Sequence, residues 1–304
     1  MRRLLLVLLV VMGCKASDHA MTGDDDVAID APDPDGWVTL MKGDWSLAPG
    51  DEGYFCVYVT APSDIYIKAF RPIAPLGTHH TVLTRYVGAS PADGTVGCNV
   101  ATNGHTMIYG SGLGADDFYF PTGVGLHLAK GDRLLLNLHL FNASDNPLSG
   151  TSGVQYQAAQ AADVPNLAEL VLAGPTVGLS VPTGISTQSG TCKVSTITSS
   201  SVQLFAISQH MHMLGTHMKS VVTRTGSPDI VLQDVDYTFE HQVATLMPAL
   251  VELKSGDVVT TNCTYDNTTT GTVVFGQSST DEMCFTDLFY YPEQGANYIC
   301  DDGF

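Results

Sequence analysis

Short apolar or alternating runs separated by turn residues fill this chain from residue 37 onward, and they restrict its fold more than any other feature. The runs are five to eight residues long, which is the length of β-strands rather than of helices. Clear examples are Tyr54–Val59, Ile65–Phe70, Leu134–Phe141, Val202–Ile207, Val258–Tyr265 and Thr272–Gly276. Turn clusters such as Asp93-Gly94 separate them, and only residues 158–172, interrupted by Pro165, have a weak helical pattern. This pattern predicts an all-β protein of antiparallel sandwiches, with two domains that we place at residues 37–170 and 171–304.

The first residues have the pattern of an export signal. Arg2 and Arg3 precede an apolar run, Leu4–Met12, which is too short to cross a bilayer as a helix of the mature protein. The run ends at Gly13-Cys14, so residues 11–14 resemble a bacterial lipobox, in which the cysteine becomes lipid-modified. We therefore predict a signal peptide over residues 1–13 and a lipid anchor at Cys14, in a bacterial cell envelope. An ordinary signal with a chance cysteine is the alternative.

Residues 14–36 combine the lipidated cysteine with an acidic tether. The acidic residues of this segment are Asp18, Asp24, Asp25, Asp26, Asp30, Asp33 and Asp35. They lie among small residues and prolines with little to bury, which predicts a disordered, self-repelling spacer. The formal net charge of −18 argues against nucleic-acid binding, which requires basic surfaces. We expect membrane contact only through the lipid at Cys14.

Cysteine usage also indicates export. The chain has seven cysteines, and assigning Cys14 to lipid leaves an even number. The others are Cys56, Cys98, Cys192, Cys263, Cys284 and Cys300. An even set in an exported chain predicts three disulfides, for which sequence alone permits fifteen pairings. The sequence has no C-x-x-C pair, which argues against a structural zinc cluster.

Two groups of residues indicate metal chemistry. The first cluster offers three nitrogens and consists of His79, His80 and His139. The second cluster offers two nitrogens and a thioether and consists of His210, His212 and Met283. Thioether sulfur is soft and favours Cu(I), whereas imidazole binds both copper oxidation states. Two sites of unequal softness predict a copper protein that moves electrons.

Strand geometry allows members of these clusters to meet. His210 and His212 are two residues apart and therefore project to the same face of a strand. Met211 and Met213 then project to the opposite face, which we expect to lie toward the core. His139 ends a polar stripe on a leucine-rich strand, which aims its ring at a cleft.

The adjacent pair His79-His80 needs an irregular backbone. Neighbouring residues diverge in a regular strand, so the two rings can share one metal only at a bend or a strand end. Pro75 and Gly77, just upstream, supply a bend. Each ligand candidate alone also fits a structural role, because core histidines satisfy hydrogen bonds and methionine fills gaps. Their combination in one chain carries the prediction of two metal sites.

Further motifs surround these residues. They are Tyr54-Phe55-Cys56, Thr78-His79-His80, Pro121–Gly125, Ser279-Thr280-Asp281-Glu282-Met283-Cys284 and Tyr290-Tyr291. In this order they resemble the copper type II, ascorbate-dependent monooxygenases, a family with a His-His pair, a histidine in an apolar strand, a His-x-His pair and an Asp-Glu-Met-Cys run. The resemblance extends from Trp37 to Cys300, and the run that contains Met283 is its most specific part.

The resemblance implies two tandem jelly-roll-like β-sandwich domains, each with one copper, at facing edges of an open cleft. The first cluster would hold the electron-storing copper. The second cluster would hold the copper at which O2 reacts with a substrate C–H bond, so its three residues are also the catalytic candidates. The implied disulfides are Cys56–Cys98, Cys192–Cys300 and Cys263–Cys284, and the last of these would brace Met283 from its neighbour.

Departures from the peptide-amidating members concern the substrate. Those members bind a substrate carboxylate with an Arg two residues before the His-x-His pair and a Tyr four residues after the Met. The corresponding residues here are Ser208 and Asp287. Because an aspartate repels a carboxylate, we predict that the substrate is not a glycine-extended peptide, and we expect Asp287 to face a cation or amine. The family's Gln two residues before its third histidine is Asn137 here, which keeps an amide near the first copper.

The function that the resemblance implies is hydroxylation of a small-molecule substrate by O2, with two coppers per chain and electrons from ascorbate or another one-electron donor. The reaction needs two electrons and each copper carries one, so two reduced coppers meet the demand. A non-catalytic copper-binding or copper-storing lipoprotein is the first alternative. A zinc-dependent hydrolase is the second, although a methionine ligand argues against it.

Overall fold

The computed structural model describes residues 33–87, 91–99, 102, 104–112, 114–176, 178–239, 241–276, 278–296 and 298–301. Within these ranges the regular structure is β-strand, apart from two 3₁₀ turns at Ala161–Asp163 and Val194–Thr196. The prediction of an all-β protein is therefore confirmed. The predicted signal peptide, the lipid anchor at Cys14 and most of the acidic tether lie outside the described residues. No helix within the described ranges has the length and apolar character needed to cross a membrane.

The first half of the fold consists of two sheets. Its strands are β1 (Trp37–Leu47), β2 (Glu52–Thr60), β3 (Ile65–Ile73), β4 (Thr78–Tyr86), β5 (Gly94–Gly97), β6 (Thr106–Ser111), β7 (Phe118–Tyr119), β8 (Val124–Leu128), β9 (Arg133–Phe141), β10 (Leu148–Ala159) and β11 (Asn166–Leu167). One sheet has the order β1-β10-β3-β8-β11, with β7 paired to β3, and the other has the order β5-β2-β9-β4-β6. The pairs are antiparallel except β8 with β11.

The second half has two larger sheets and a two-stranded one. Its strands are β12 (Glu169–Ala173), β13 (Ser180–Val181), β14 (Gly184–Lys193), β15 (Ser201–Met211), β16 (Gly215–Thr223), β17 (Ile230–Asp236), β18 (Thr245–Lys254), β19 (Val258–Asn267), β20 (Val273–Val274), β21 (Cys284–Tyr291) and β22 (Ile299–Cys300). The larger sheets have the orders β18-β15-β21-β12-β22 and β14-β19-β16-β17, and β13 pairs with β20. The two candidate ligand segments, at the ends of β15 and β21, are therefore neighbours in one sheet.

Strand β9 shows how the alternation of side chains builds the core and presents His139. One face of the strand is fully buried in the apolar core that both sheets of the first half share: Leu134, Leu136, Leu138 and Leu140. The opposite face contains Leu135, which packs beside Cys56, and then Asn137 and His139. The predicted division of this strand into an apolar face and a polar stripe is confirmed. Because both faces of β9 are buried, His139 projects from a rigid support.

An aromatic cluster joins the two halves. The rings of Phe118 and Phe289 are 5.2 Å apart between centroids, and those of Phe120 and Phe205 are 6.0 Å apart. At Ala168 the chain passes from β11, which pairs with β8, to β12, which pairs with β21. The first apolar core thus continues into the second half, which positions the two ligand clusters relative to each other.

The weak helix predicted over residues 158–172 is wrong. Strand β10 continues to Ala159, a 3₁₀ turn follows, and β11 and β12 occupy most of the remaining residues. Strand β12 pairs with β21 on one side and β22 on the other, and its residues are buried on both faces. A short run buried on both faces lacks the alternation that identifies a strand, so its sequence pattern resembles that of a buried helix.

The three disulfides have the pairing that the resemblance implies. Cys56–Cys98 joins β2 to the residue after β5, Cys192–Cys300 joins β14 to β22, and Cys263–Cys284 joins β19 to β21. The second closes the longest loop, with a sequence separation of 108. Disulfides persist in oxidising compartments, so the three bonds agree with an exported protein.

Each half ties its strands together with a buried asparagine. Asn142 follows β9 and Asn267 ends β19, and both are fully buried. The Nδ2 groups donate to backbone carbonyls, which for Asn142 include those of Leu47 and Ala48 beside the end of β1. Each Oδ1 accepts hydrogen bonds from the backbone and hydroxyl of the Ser or Thr two residues further on. At these turns the asparagine side chains supply the backbone carbonyls with the hydrogen bonds that a neighbouring strand supplies elsewhere.

We expect Asn142→Ala to lower the free energy of unfolding by on the order of 3 kcal/mol, because buried carbonyl groups lose their donors. Asn146→Ala is the control, since that side chain is exposed, and it should change the value by less than about 0.5 kcal/mol. Urea unfolding of both variants measures the difference. Equal effects of the two substitutions would contradict the role of Asn142.

Candidate metal centres

A bulge in β4 lets His79 and His80 point to the same place. Thr78 pairs with Leu140 and His80 pairs with His139, so β4 has one residue more than β9 at this point. A bulge inserts an unpaired residue and redirects its side chain. The irregular backbone predicted for this pair is thus a bulge at His79, inside the strand.

The three imidazoles of the first cluster converge through their Nδ1 atoms. His80 Nδ1 lies 3.2 Å from His79 Nδ1 and 3.3 Å from His139 Nδ1. Each ring places a nitrogen within 4.8 Å of a nitrogen of the other two. With metal–nitrogen bonds of about 2.0 Å and a tetrahedral angle, two ligand atoms of one metal lie about 3.3 Å apart. The observed spacing therefore fits a single metal ion.

Two residues of β2 contact the His139 ring away from its Nδ1 atom, one by stacking and one by a hydrogen bond. Tyr54 pairs with His139 across β2 and β9 and stacks on it, with ring centroids 4.3 Å apart and planes 4° from parallel. The His139 Nε2–H group donates to Glu52 Oε1 at 2.5 Å. No local sequence pattern predicts the role of Glu52, because its contact with His139 depends on the register of β2 against β9.

The second cluster brings two imidazoles and the thioether together. His210 Nε2 lies 3.3 Å from Met283 Sδ, and the rings of His210 and His212 are 5.3 Å apart between centroids. His210 Nδ1–H donates to Gln242 Oε1 at 2.8 Å, and His212 Nδ1–H donates to the Asp281 carbonyl oxygen at 3.2 Å. Both rings therefore keep Nε2 free of a proton and able to bind a metal.

The two methionines near His212 differ in burial. Met211 is fully buried on the face opposite the histidines, as predicted. The same prediction for Met213 is wrong, because its side chain is 61% exposed. Strand β15 ends at Met211, so Met213 lies in the turn before β16, where the alternation of the strand no longer applies.

Glu282 ties the two segments of the second cluster together. Its fully buried carboxylate accepts the backbone N–H groups of His212, Leu214 and Met283, at 2.9, 2.7 and 3.3 Å. On the other side, the Tyr265 hydroxyl donates to the Met283 carbonyl at 2.6 Å. Burial raises the pKa of Glu282 to about 7, although the three N–H donors act in the opposite direction. Glu282 is thus the main link between the β15–β16 turn and the methionine segment.

Burial keeps the imidazoles neutral. Burial, and secondly the neighbouring His139, lowers the pKa of His79 to about 4, and burial holds the pKa of His80 well below its usual value. Burial, and secondly His210, lowers the pKa of His212 to about 3. Neutral imidazoles are the form that binds metals, so both clusters are ready to bind a metal ion at neutral pH.

The five histidines of the two clusters line one cavity of about 10 Å³, which is narrower than the open cleft that the resemblance implies. The ring centroid of Phe239 lies 4.9 Å from that of His79 and 6.5 Å from that of His212. Phe239 and Gln242 lie between β17 and β18, and their side chains fill the space between the clusters. The sequence gives no sign of this filling, because neither residue belongs to a strand or a motif.

A larger cavity of about 180 Å³ adjoins the second cluster. Its walls are mostly apolar and include Met107, Leu170, Leu172, Phe285 and Phe289. Asn137 and Asp287 also line it, and the buried Oδ1 atom of each has no hydrogen-bond partner among the described residues. The Asn137 Nδ2 group is occupied, since it donates to the carbonyls of Asn99 and Thr102.

Ser208 and Asp287 face each other across β15 and β21. The Ser208 hydroxyl donates to Asp287 Oδ2 at 2.5 Å, and both residues are 8% exposed. Burial raises the pKa of Asp287 to about 7, against the lowering effect of Ser208. The cavity therefore contains one acidic group whose second oxygen points to no other described residue.

Comparison with known proteins identifies a family model and several relatives that are similar to this chain. A family model described as copper type II ascorbate-dependent monooxygenase, C-terminal domain, matches residues 172–303. The chain is 26% identical over 279 residues to dopamine beta-hydroxylase of Bos taurus, which covers 81% of this chain and 45% of that protein. It is 29% identical over 212 residues to dopamine beta-hydroxylase of Rattus norvegicus, a match that covers 63% of this chain and 34% of that protein. It is 27% identical over 205 residues to DBH-like monooxygenase protein 1 of Mus musculus, a match that covers 62% of this chain and 33% of that protein.

The chain spans less than half the length of each of these relatives. The similarity nevertheless includes both halves, since the match to the Bos taurus protein is longer than either of them. The family model covers β13 to β22, with His210, His212 and Met283. The family model and these relatives together support the copper type II ascorbate-dependent monooxygenase family for this chain.

Proposed function

We propose that this protein hydroxylates a C–H bond of a small molecule with O2, two coppers and two electrons from ascorbate or another one-electron donor. In the balanced reaction, R–H, O2, two electrons and two protons give R–OH and water. The observation that carries this proposal is a pair of donor clusters of unequal softness. One offers three nitrogens, the other offers two nitrogens and a sulfur, and the five histidines of both line one cavity. Similarity to the copper type II ascorbate-dependent monooxygenases supplies the expectation of copper and ascorbate.

The residues of the chain have distinct roles in this proposal. The first cluster holds the electron-storing copper and the second cluster holds the copper at which O2 and substrate react. Copper supplies one-electron transfer and O2 chemistry when bound. Gln242 and the Asp281 carbonyl orient the two histidines of the second cluster through their Nδ1–H groups, and Glu282 keeps Met283 beside them. Phe239 keeps bulk water out of the space between the clusters.

The proposal includes two tandem jelly-roll-like domains, residues 37–170 and 171–304, with one copper in each. The two sheets of the first half around a common core support the first of these domains. We also propose export to a bacterial cell envelope with a lipid anchor at Cys14. The lipobox-like residues 11–14 support the anchor, and the three disulfides support export.

We further propose that Asp287 and Ser208 bind a positively charged head group, such as an amine, and that a glycine-extended peptide is not the substrate. A buried carboxylate oxygen without a partner in the described residues favours a cationic donor. Asn137 Oδ1 offers a second acceptor on the same cavity, and an ammonium group has three donors. The apolar walls suit a hydrophobic substrate body.

The register of β15 and β21 sets the distance between head group and metal. Ser208 pairs with Asp287, and His210 pairs with Phe285, two residues along the same strands. Residues two apart on a strand are separated by about 7 Å. If an amine nitrogen binds at Asp287, the substrate carbon that lies about three to five bonds from this nitrogen is therefore beside the second cluster.

A pair of methionine variants tests the proposed function. We expect two coppers per chain in the wild type, one in Met283→Ala and two in Met213→Ala, whose methionine is exposed. Substrate-stimulated O2 uptake with ascorbate should fall by at least about 100-fold in Met283→Ala and remain in Met213→Ala. Metal analysis and an oxygen electrode provide the two readouts.

The same experiment separates the alternatives. Two coppers without any reductant-dependent O2 uptake would favour a non-catalytic copper-binding lipoprotein. Zinc in place of copper, or equal effects of the two methionine variants, would contradict the proposed function. His139→Ala serves as the counterpart for the first cluster and should also remove one copper.

A further inference from the structure

The proton on His139 has a defined place. His139 is 1% exposed, its Nδ1 faces His80 Nδ1 at 3.3 Å, and its Nε2 lies 2.5 Å from Glu52 Oε1. A carboxylate accepts a hydrogen bond and does not donate one, so the proton of the neutral ring lies on Nε2. The Nδ1 lone pair then points to the place where the three rings of the first cluster converge.

Tyr54 lies beside both members of this contact. Its ring stacks on His139 in a nearly parallel orientation, and its hydroxyl is near enough to Glu52 for that carboxylate to raise the pKa of the phenol. Burial, and then the charge of Glu52, raises the pKa of Tyr54 to about 12, so the hydroxyl keeps its proton at neutral pH. The Glu52 carboxylate therefore hydrogen-bonds His139 beside the Tyr54 phenol, while its side chain remains 40% exposed.

His139 differs in this respect from the other candidate ligands. The two histidines of the second cluster donate to neutral oxygens, those of the Gln242 amide and the Asp281 backbone. Among the described residues, no carboxylate hydrogen-bonds His79 or His80. A carboxylate partner makes an imidazole a stronger electron donor than a neutral partner does, and a stronger donor favours Cu(II) over Cu(I).

We propose that Glu52 is a positioning residue for the first copper: it fixes the Nδ1-binding tautomer of His139 and stabilises Cu(II) at the first cluster. This inference rests on the proposed function. Its consequence is a first copper that gives up its electron more readily than three imidazoles alone would allow. The thioether at the second cluster favours Cu(I), so the two effects together direct the electron from the first copper to the second.

Glu52→Gln tests the proposal in the Met283→Ala background, where only the first copper is expected to bind. The amide keeps the size of the side chain and removes its charge. We expect Cu(II) affinity, measured by competition with a chelator, to fall by 10- to 100-fold, and Cu(I) affinity to change by less than about threefold. The midpoint potential of the bound copper should shift to a more positive value, and its Cu(II) electron paramagnetic resonance spectrum should change. Glu252→Gln, on exposed β18 far from either cluster, should leave all four readouts unchanged.

A measurement on the metal-free protein checks the tautomer without any copper. In ¹⁵N-resolved imidazole spectra, the wild-type His139 should show the Nε2–H tautomer. Glu52→Ala, which removes the acceptor, should lose this preference, whereas Glu52→Gln keeps an acceptor oxygen and should retain it. Cu(II) affinity of Glu52→Gln within about twofold of the parent, or an unchanged tautomer in Glu52→Ala, would overturn the role of Glu52 while leaving the proposed function intact. A Met283→Ala parent that binds no copper would overturn both. Tyr54→Phe should reproduce part of the effect, because the carboxylate then loses the neighbouring hydroxyl.

Discussion

Asp287→Asn should weaken binding of a small amine by about 100-fold and leave binding of the corresponding alcohol within about twofold. Asparagine keeps the shape of the side chain and can still accept the Ser208 hydrogen bond, so the charge is the main change. Hydrogen bonds to charged groups contribute about 1.5–3 kcal/mol, and the upper part of that range corresponds to about 100-fold. Benzylamine, benzyl alcohol and benzoate form a matched set, and calorimetry on the copper-loaded protein measures their affinities. Benzoate should bind the wild type most weakly, and equal losses for amine and alcohol would contradict the role of Asp287.

The same variant should change the pH dependence of stability. The folded protein holds the proton of Asp287 up to about pH 7, whereas the unfolded chain releases it near its ordinary pKa of 3.8. The contribution of this group to stability is therefore fully present below about pH 4 and is lost as the pH rises through about 7. The shift corresponds to at most about 4 kcal/mol. In urea titrations, the free energy of unfolding of the wild type should therefore decrease relative to that of Asp287→Asn between pH 5 and pH 8. The affinity of the wild type for the amine should rise over the same pH range.

Glu282→Gln should lower the free energy of unfolding by about 3 kcal/mol and the copper affinity of the second cluster by 10- to 100-fold. The carboxylate accepts three backbone N–H groups, whereas the amide of glutamine has one acceptor and directs an N–H group at a donor. The turn that contains His212 then loses its connection to Met283. Copper at the first cluster should remain, because Glu282 contacts none of its residues among the described hydrogen bonds.

Glu293→Gln is the control for this substitution, since Glu293 is exposed. It should leave copper content at two per chain and stability within about 0.5 kcal/mol. Copper titration of Glu282→Gln, followed by metal analysis after gel filtration, distinguishes loss at one cluster from loss at both. Retention of both coppers with unchanged affinity would show that the three N–H contacts do not support the site.

Much of the strand framework could be predicted from the sequence, because alternation and turn residues report directly on β-structure. The leucine stripe of β9 identified which face of the strand presents His139, and the two-residue spacing of His210 and His212 identified a common face. The disulfide pairing could not be derived from spacing and came from the family resemblance. The segment at residues 158–172 was predicted wrongly because β12 is buried on both faces.

The details of the site depend on register, which no local pattern contains. The bulge at His79 exists because β4 has one more residue than β9 beside Leu140, and only the pairing reveals it. Glu52 reaches His139 because β2 pairs with β9 in one register, and a shift by one residue would place it on the other face. Phe239 and Gln242 reach the clusters from a segment between strands, where neither periodicity nor turn chemistry predicts position.

Incorporation of labelled oxygen tests the monooxygenase function most directly. The copper-loaded protein, reduced with ascorbate under ¹⁸O2, would be supplied with benzylamine and a set of longer apolar amines, and the products analysed by mass spectrometry. We expect a product with one ¹⁸O atom, formed at one molecule per O2 consumed, and no such product from Met283→Ala. Two bound coppers with no labelled product from any amine, alcohol or neutral apolar compound would contradict the monooxygenase function and leave a copper-binding protein.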